Sequence, residues 1–216
     1  MPTMGQVDLA TITRLFSEPV TWLVGITIVM VLFVGLMRPR RPGARGEAAV
    51  ARRLRRYCAE VANDVILRDG RGGLTQIDHL ALTSAGLLVV ETKDFGGLIF
   101  GQTHDRTWTQ CIGRQKRGFE NPLRQNYGHV KAVEALVPGA PVAGLVVFTD
   151  RSRFPKGLSP GVTTLSLLTQ TLPLTTGESI GAAQRSDWET VMSQVLTDRL
   201  SRDAHLVIAR RRKRGW

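Results

Sequence analysis

Asp78, Glu91 and Lys93 are the residues whose types and spacing suggest chemistry. They stand in the segments Gln76-Ile77-Asp78-His79 and Glu91-Thr92-Lys93. Leu74–Thr83 and Gly86–Thr92 read as strands flanking a tight turn at Ser84-Ala85. A hairpin turning there sets Asp78 opposite Glu91 on one face, with Cβ atoms about 5 Å apart. Lys93, two residues beyond Glu91, shares that face through the pleat. Its other members, Leu80, Leu82, Leu87 and Val89, are apolar, so two acids and an amine end a buried strip. Opposed carboxylates repel, and burial raises the cost of each charge. A divalent cation resolves the conflict: Mg²⁺ (or Mn²⁺) takes carboxylate oxygens and keeps waters free for a substrate. A Glu91–Lys93 or Asp78–Lys93 ion pair at a solvated sheet end is the plainer use of the same residues. The D…ExK spacing alone does not decide between them.

The elements that must position these residues are legible around them. Residues 46–61 have helical periodicity, with Glu47, Ala51, Leu54, Cys58 and Val61 on one stripe and four arginines beside or opposite it. Glu47 is the odd member of the apolar stripe. It reads as a first-turn acid favoured by the helix dipole or as an inward-pointing acid near a site, and on helix evidence alone the first is preferred. Asp64–Arg68 is a strand before the turn Asp69–Gly73. Leu98–Gln102 and Thr107–Cys111 come next as further strands. Asn121 offers an N-cap and Pro122 the first helical position of a helix to about Val137. Val142–Phe148 is a nearly unbroken apolar run, as in a strand covered on both faces. Val162–Leu168 reads as another strand, and Ser186-Asp187-Trp188-Glu189 as a capping box opening a helix to about Arg202. No repeat is visible. The order predicts an α/β sandwich with a mixed sheet.

These segments resemble the nuclease-related domain known as NERD. The resemblance rests on Gly46-Glu47, Gln76-Ile77-Asp78-His79 and GLLVVETK from Gly86 to Lys93. It continues through Phe95-Gly96-Gly97, Trp108, Asn121-Pro122-Leu123-Arg124-Gln125-Asn126 with His129, and Val146-Val147-Phe148. It runs from about Gly46 to Thr149. The family is regarded as a relative of the PD-(D/E)xK nucleases, which implies a restriction-endonuclease-like mixed sheet flanked by helices. It implies Asp78 and Glu91 as metal ligands, Lys93 as the catalytic lysine, Glu47 as the auxiliary acid and Gln125 as the helix glutamine of some branches. Glu47's inward stripe position agrees with that role. Ile77 stands where the superfamily motif has proline. His129 shares a helix face with Gln125 and reads as a packed or hydrogen-bonded histidine rather than a ligand. His79 points away from Asp78 and is assigned a structural role.

Val20 to Met37 carries no charge and, as a helix, spans roughly 27 Å, close to the bilayer's hydrocarbon thickness. A retained transmembrane anchor is expected rather than a cleaved signal peptide, because Met37 leads straight into Arg38, Pro39, Arg40 and Arg41. Lys plus Arg number 29 against 18 Asp plus Glu, a formal +11. Residues 1–37 hold only Arg14 against Asp8 and Glu18, so the basic character belongs to residues 38–216. Arginines just after the span place the tail 1–19 outside and the rest in the cytosol. Two cysteines cannot build a disulfide framework or a four-cysteine zinc site. The expected organisation is a span at 20–37, a basic linker at 38–45, the nuclease-related domain at 46–168, a helical extension at 169–205 and a basic tail at 206–216. Arg52, Arg55, Arg56, Arg114, Lys116, Arg117 and Arg124 are candidates for a phosphate-binding surface; a solvated or lipid-facing basic face is the alternative.

The expectation is a membrane-anchored, Mg²⁺-dependent nuclease acting on DNA or RNA. The alternative is a noncatalytic nucleic-acid or polyanion-binding scaffold that keeps the fold. A reporter fused after Trp216 is expected to report a cytosolic location; an extracytosolic signal would overturn the orientation.

Overall fold

A computed structural model describes residues 43–172 and 179–196, all within the second of the chain's two compact units, Pro42–Trp216. The expected span at 20–37 lies outside the described residues, and among those described no helix is long and apolar enough to cross a membrane. The fold is mixed α/β: two mixed sheets flanked by helices.

The larger sheet contains β1 (Glu60–Arg68), β2 (Leu74–Thr83), β3 (Gly86–Lys93), β7 (Val142–Phe148) and β9 (Val162–Thr164), in the spatial order β1-β2-β3-β7-β9. β1, β2 and β3 are antiparallel neighbours, whereas β3–β7 and β7–β9 are parallel. The smaller sheet runs β6-β5-β4-β8, from β4 (Gly97–Phe100), β5 (Thr107–Ile112), β6 (Gln115–Glu120) and β8 (Ser152–Arg153). The sequence predicts one mixed sheet, and the structure has two. β6 escapes the sequence pattern because Gln115–Glu120 is polar at nearly every position and almost wholly exposed on a sheet edge, so no apolar alternation marks it.

α1 (Ala44–Leu54) and α3 (Leu168–Thr171) cover one face of the larger sheet, through Val50, Leu54 and Leu168 against Ala81, Val90 and Val147. α2 (Pro122–Glu134) and α4 (Ala182–Ser193) cover the other, through Val130, Val133 and Val191 against Leu80, Leu82 and Val89. α1 is shorter than its periodicity suggests, because Tyr57 and Cys58 turn the chain back through bonds to the Leu54 carbonyl, and β1 starts at Glu60. The capping-box reading at Ser186 is also corrected. α4 begins four residues earlier after Gly181, and Ser186 lies inside it, its carbonyl accepting from the Thr190 hydroxyl. β9 ends at Thr164, where the chain turns into α3.

Two glycines matter for position. Gly86 adopts φ 120°, and its neighbour Leu87 donates to the Pro141 carbonyl; a Cβ on Gly86 would sit 2.3 Å from that oxygen. Gly46 brings α1 against the ends of β3 and β7, where a Cβ would meet Asp94 Cβ at 2.7 Å and Thr149 Cγ2 at 2.9 Å. Those two side chains are tied to each other by a 2.8 Å bond from Thr149 Oγ1 to Asp94 Oδ1, so neither yields freely. Gly46→Ala is therefore expected to lose about 1–2 kcal/mol by urea unfolding, because overpacking outweighs the helix-propensity gain. An unchanged or higher midpoint would refute this close approach.

Candidate functional site

The β2–β3 hairpin has the predicted register, with Thr83 opposite Gly86 and His79 opposite Val90. The pairing stops there, one rung short of Asp78 and Glu91. β2 continues alongside β1 to the pair Arg68–Leu74, and β3 continues alongside β7 to the pair Lys93–Phe148, so the sheet forks. The strict alternation expected of β2 fails at the same rung. Leu80 and Leu82 face α2, but beyond the fork so do Ile77 and Thr75; on β1, Ala62 gives way to Val65 and Leu67. The one described non-glycine residue with positive φ, Asp64 at 54°, stands on this rung of β1, its carboxylate taking the Gln76 amide at 2.7 Å. Both strands twist together and keep their mutual register.

Asp78 closes the fork. Its Oδ2 accepts the Thr92 backbone N–H at 2.8 Å, replacing the strand bond that β2 no longer supplies. Glu91, 3% exposed, receives Lys93 Nζ on Oε1 at 2.6 Å. The same ammonium donates to Gln125 Oε1 at 2.9 Å, which joins α2 to the end of β3. Glu91 Oε2 and His129 Nε2 approach to 3.3 Å but off the line of a hydrogen bond, so neither buried atom has a hydrogen-bond partner among the described residues. His129 Nδ1 and Thr75 Oγ1 are 2.6 Å apart. Asp78, Glu91, Lys93 and Gln125 thus meet in one place. Glu47 on α1 is near enough for its charge to act on Asp78.

Burial pushes the Asp78 carboxyl up to about 8, with the Glu91 charge next in effect and the Thr92 amide opposing. Burial pushes Glu91 up as well, but His129 and the Lys93 charge outweigh it, and Glu91 sits below the ordinary carboxylate value. One acid is held as an anion while its neighbour is driven toward the neutral form. A cation between them would let both ionise, and the unpartnered Glu91 Oε2 is an oxygen available to one. Among the described residues no group of three His, Cys, Asp or Glu side chains is placed to hold a metal.

His79 is buried and hydrogen-bonded at both ring nitrogens, which fits the structural role assigned to it. Its Nδ1 pairs with Asn63 Oδ1 at 2.8 Å and its Nε2 with Thr92 Oγ1 at 3.1 Å. The basic candidates occupy separate places. Arg52 is on α1, Arg55 and Arg56 on the turn after it, Arg114, Lys116 and Arg117 on the β5–β6 hairpin, and Arg124 on the outer side of α2; all seven are exposed. His129 is buried and hydrogen-bonded, as its sequence reading expects, and its Nε2 also faces Glu91 Oε2 at 3.3 Å. Its spacing carries that signal, one helical turn from Gln125 on the same face.

The family model of the nuclease-related domain, NERD, matches residues 42–149. The chain belongs to this family. A stretch of 102 residues is also 40% identical to an uncharacterised protein of Bacillus anthracis, covering 46% of this chain and 48% of that one. The chain therefore spans about half the length of the curated relative it matches. No solved structure matches it. The NERD match contains every element of the fork, from α1 through β7.

Burial lowers His79 from 6.5 to about 4. On acidification the unfolded chain takes the proton first, so the stability contributed by neutral His79 is complete above about pH 6.5 and is lost as pH falls toward 4. The loss is roughly 2–3 kcal/mol between pH 7 and pH 4.5. Denaturant unfolding across that window should show His79→Gln with a shallower acid loss than wild type by about this amount; parallel curves would exclude the buried neutral imidazole.

Proposed function

We propose that the protein is a membrane-anchored nuclease that hydrolyses phosphodiester bonds of DNA or RNA with Mg²⁺ or Mn²⁺, on a restriction-endonuclease-like core. The observation that carries this reading is the convergence at the fork of Asp78, Glu91, Lys93 and Gln125, with the Asp78 carboxyl driven up to about 8 where no cation balances it. Asp78 and Glu91 are the residues that hold the ion. Bound there, the ion supplies an activated water and a counter-charge for the phosphate. Lys93 Nζ, a compact charge with rotatable donors, orients the attacking water or neutralises charge building on the phosphate. Gln125 holds that ammonium through Oε1 and keeps its own amide N–H groups for substrate oxygens. Glu47 adds negative charge beside Asp78 and strengthens the case for a dication. The exposed arginines and Lys116 attract the polyanion without reading its sequence. The anchor is the charge-free stretch Val20 to Met37, with the arginines after it favouring a cytosolic domain and contact with anionic lipid.

One observation favours a second reading, a noncatalytic nucleic-acid or polyanion-binding module. The Lys93 ammonium is already held by Glu91 at 2.6 Å, an ion pair made by the chain's own side chains. Activity separates the two. The protein is expected to cleave DNA or RNA with Mg²⁺ or Mn²⁺ and to stop with chelator. Asp78→Ala and Lys93→Ala should each lower the rate by about 10²–10³-fold, the scale of losing a transition-state charge partner, while binding to a short oligonucleotide stays within a few-fold. Cleavage indifferent to both substitutions would sink the nuclease reading, and binding without any cleavage would favour the scaffold.

A further inference from the structure

The two oxygens of Glu91 have different surroundings. Oε1 is occupied by Lys93, whereas Oε2 is buried, without a hydrogen-bond partner among the described residues, and faces His129 Nε2 at 3.3 Å. That nitrogen is itself buried and unpartnered, in a residue only 7% exposed. A histidine serving only to fill the core would not leave two polar atoms facing each other unbonded, since an unsatisfied buried polar atom is costly. The far side of the ring is held firmly. Thr75 Oγ1 lies 2.6 Å from Nδ1, and the twist of β1 and β2 at the fork is what turns Thr75 toward α2. When the Thr75 hydroxyl donates to Nδ1, the ring proton is on Nε2, the nitrogen that lies 3.3 Å from Glu91 Oε2 without being aligned on it. We propose that His129, braced by Thr75, is a positioning residue of the cation site: it sets the orientation of Glu91 Oε2 and through it the affinity for the divalent ion. This rests on the metal-dependent reading of the fork. A neighbour that orients a metal-binding carboxylate tunes its hold on the ion, and removing such a neighbour weakens binding.

The test is Mn²⁺ binding to the full-length protein by calorimetry, with thermal unfolding of the same samples. His129→Leu and Thr75→Val should each weaken Mn²⁺ binding by about 10–100-fold. His129→Gln, which places an amide N–H close to the position of ring Nε2, should stay within a few-fold of wild type. Should His129→Leu fail to fold, Thr75→Val with His129→Gln still decides the matter. A pure packing role would lower the unfolding temperature of His129→Leu yet leave the Mn²⁺ affinity of Thr75→Val at the wild-type value, and that result overturns the proposal. Wild-type protein that takes up no Mn²⁺ brings down both this proposal and the reading beneath it, whereas normal wild-type uptake with unaffected variants brings down this one alone.

Discussion

Asp78 accepts the Thr92 amide at 2.8 Å, and the rest of the site depends on this bond. A strand leaving a sheet strands the backbone donors of its neighbour, and an unpaired buried N–H is costly. Here a carboxylate side chain takes the place of the departing backbone, so β2 can leave β3 while β3 keeps its path beside β7. The gap holds polar side chains in a sheet that is otherwise covered on both faces. A neutral side chain could also accept that bond. A carboxylate does so only by placing a second acid within reach of Glu91, and the raised pKa of Asp78 is the consequence.

Electrostatics then divides the two acids. Glu91 is the more buried, yet it is the one held low, because Lys93 and His129 surround it. Asp78 has a backbone amide and the weaker pull of Lys93 against the charges of Glu91 and Glu47, so burial prevails. Partners rather than depth decide which carboxylate ionises. The same logic explains His79 on the opposite face, where two neutral partners leave burial unopposed by any strong ion pair and the ring stays uncharged.

Local chemistry is readable in the sequence wherever a short stretch determines its own conformation. The Ser84-Ala85 turn, the Asn121 cap with Pro122, and the apolar run of β7 are each settled within a few residues. The turn fixes the register that brings Asp78 and Glu91 to the same level of the hairpin. What is not readable depends on distant contacts. Strict alternation along β2 is a reasonable expectation, but it fails at Asp78 because β1 twists with it at Asp64, and no periodicity in either strand announces a paired twist. The capping-box pattern at Ser186 is chemically sound and loses to packing, since Gln184, upstream of it, is drawn into the helix and donates to the Ser84 carbonyl. Edge strand β6 has no buried face for a pattern to report.

The NERD motifs remote from the carboxylates find their reason in the placement of α2. Gln125 and His129 reach Lys93 and Glu91 only if the helix is fixed lengthwise as well as sideways. Asn126 fixes it sideways, its amide donating to the Val89 and Leu145 carbonyls of the two strands beneath, with Gly144 leaving room for that approach. Lengthwise, the anchor is Asn121, fully buried, whose Nδ2 spans the carbonyls of Gln102, Thr103 and Asp105 while its Oδ1 caps the Leu123 amide. The Gln102 carbonyl also receives the Trp108 indole, and Trp108 stacks on Phe148 at the end of β7. The smaller sheet and its β4–β5 loop clamp the first turn of α2 to the end of the strand that runs beside Glu91 and Lys93. A family defined by chemistry at the fork would still need that tryptophan and that asparagine. Shifting α2 by one residue would move each of its side chains about 1.5 Å along the axis and 100° around it, enough to withdraw Gln125 from the lysine.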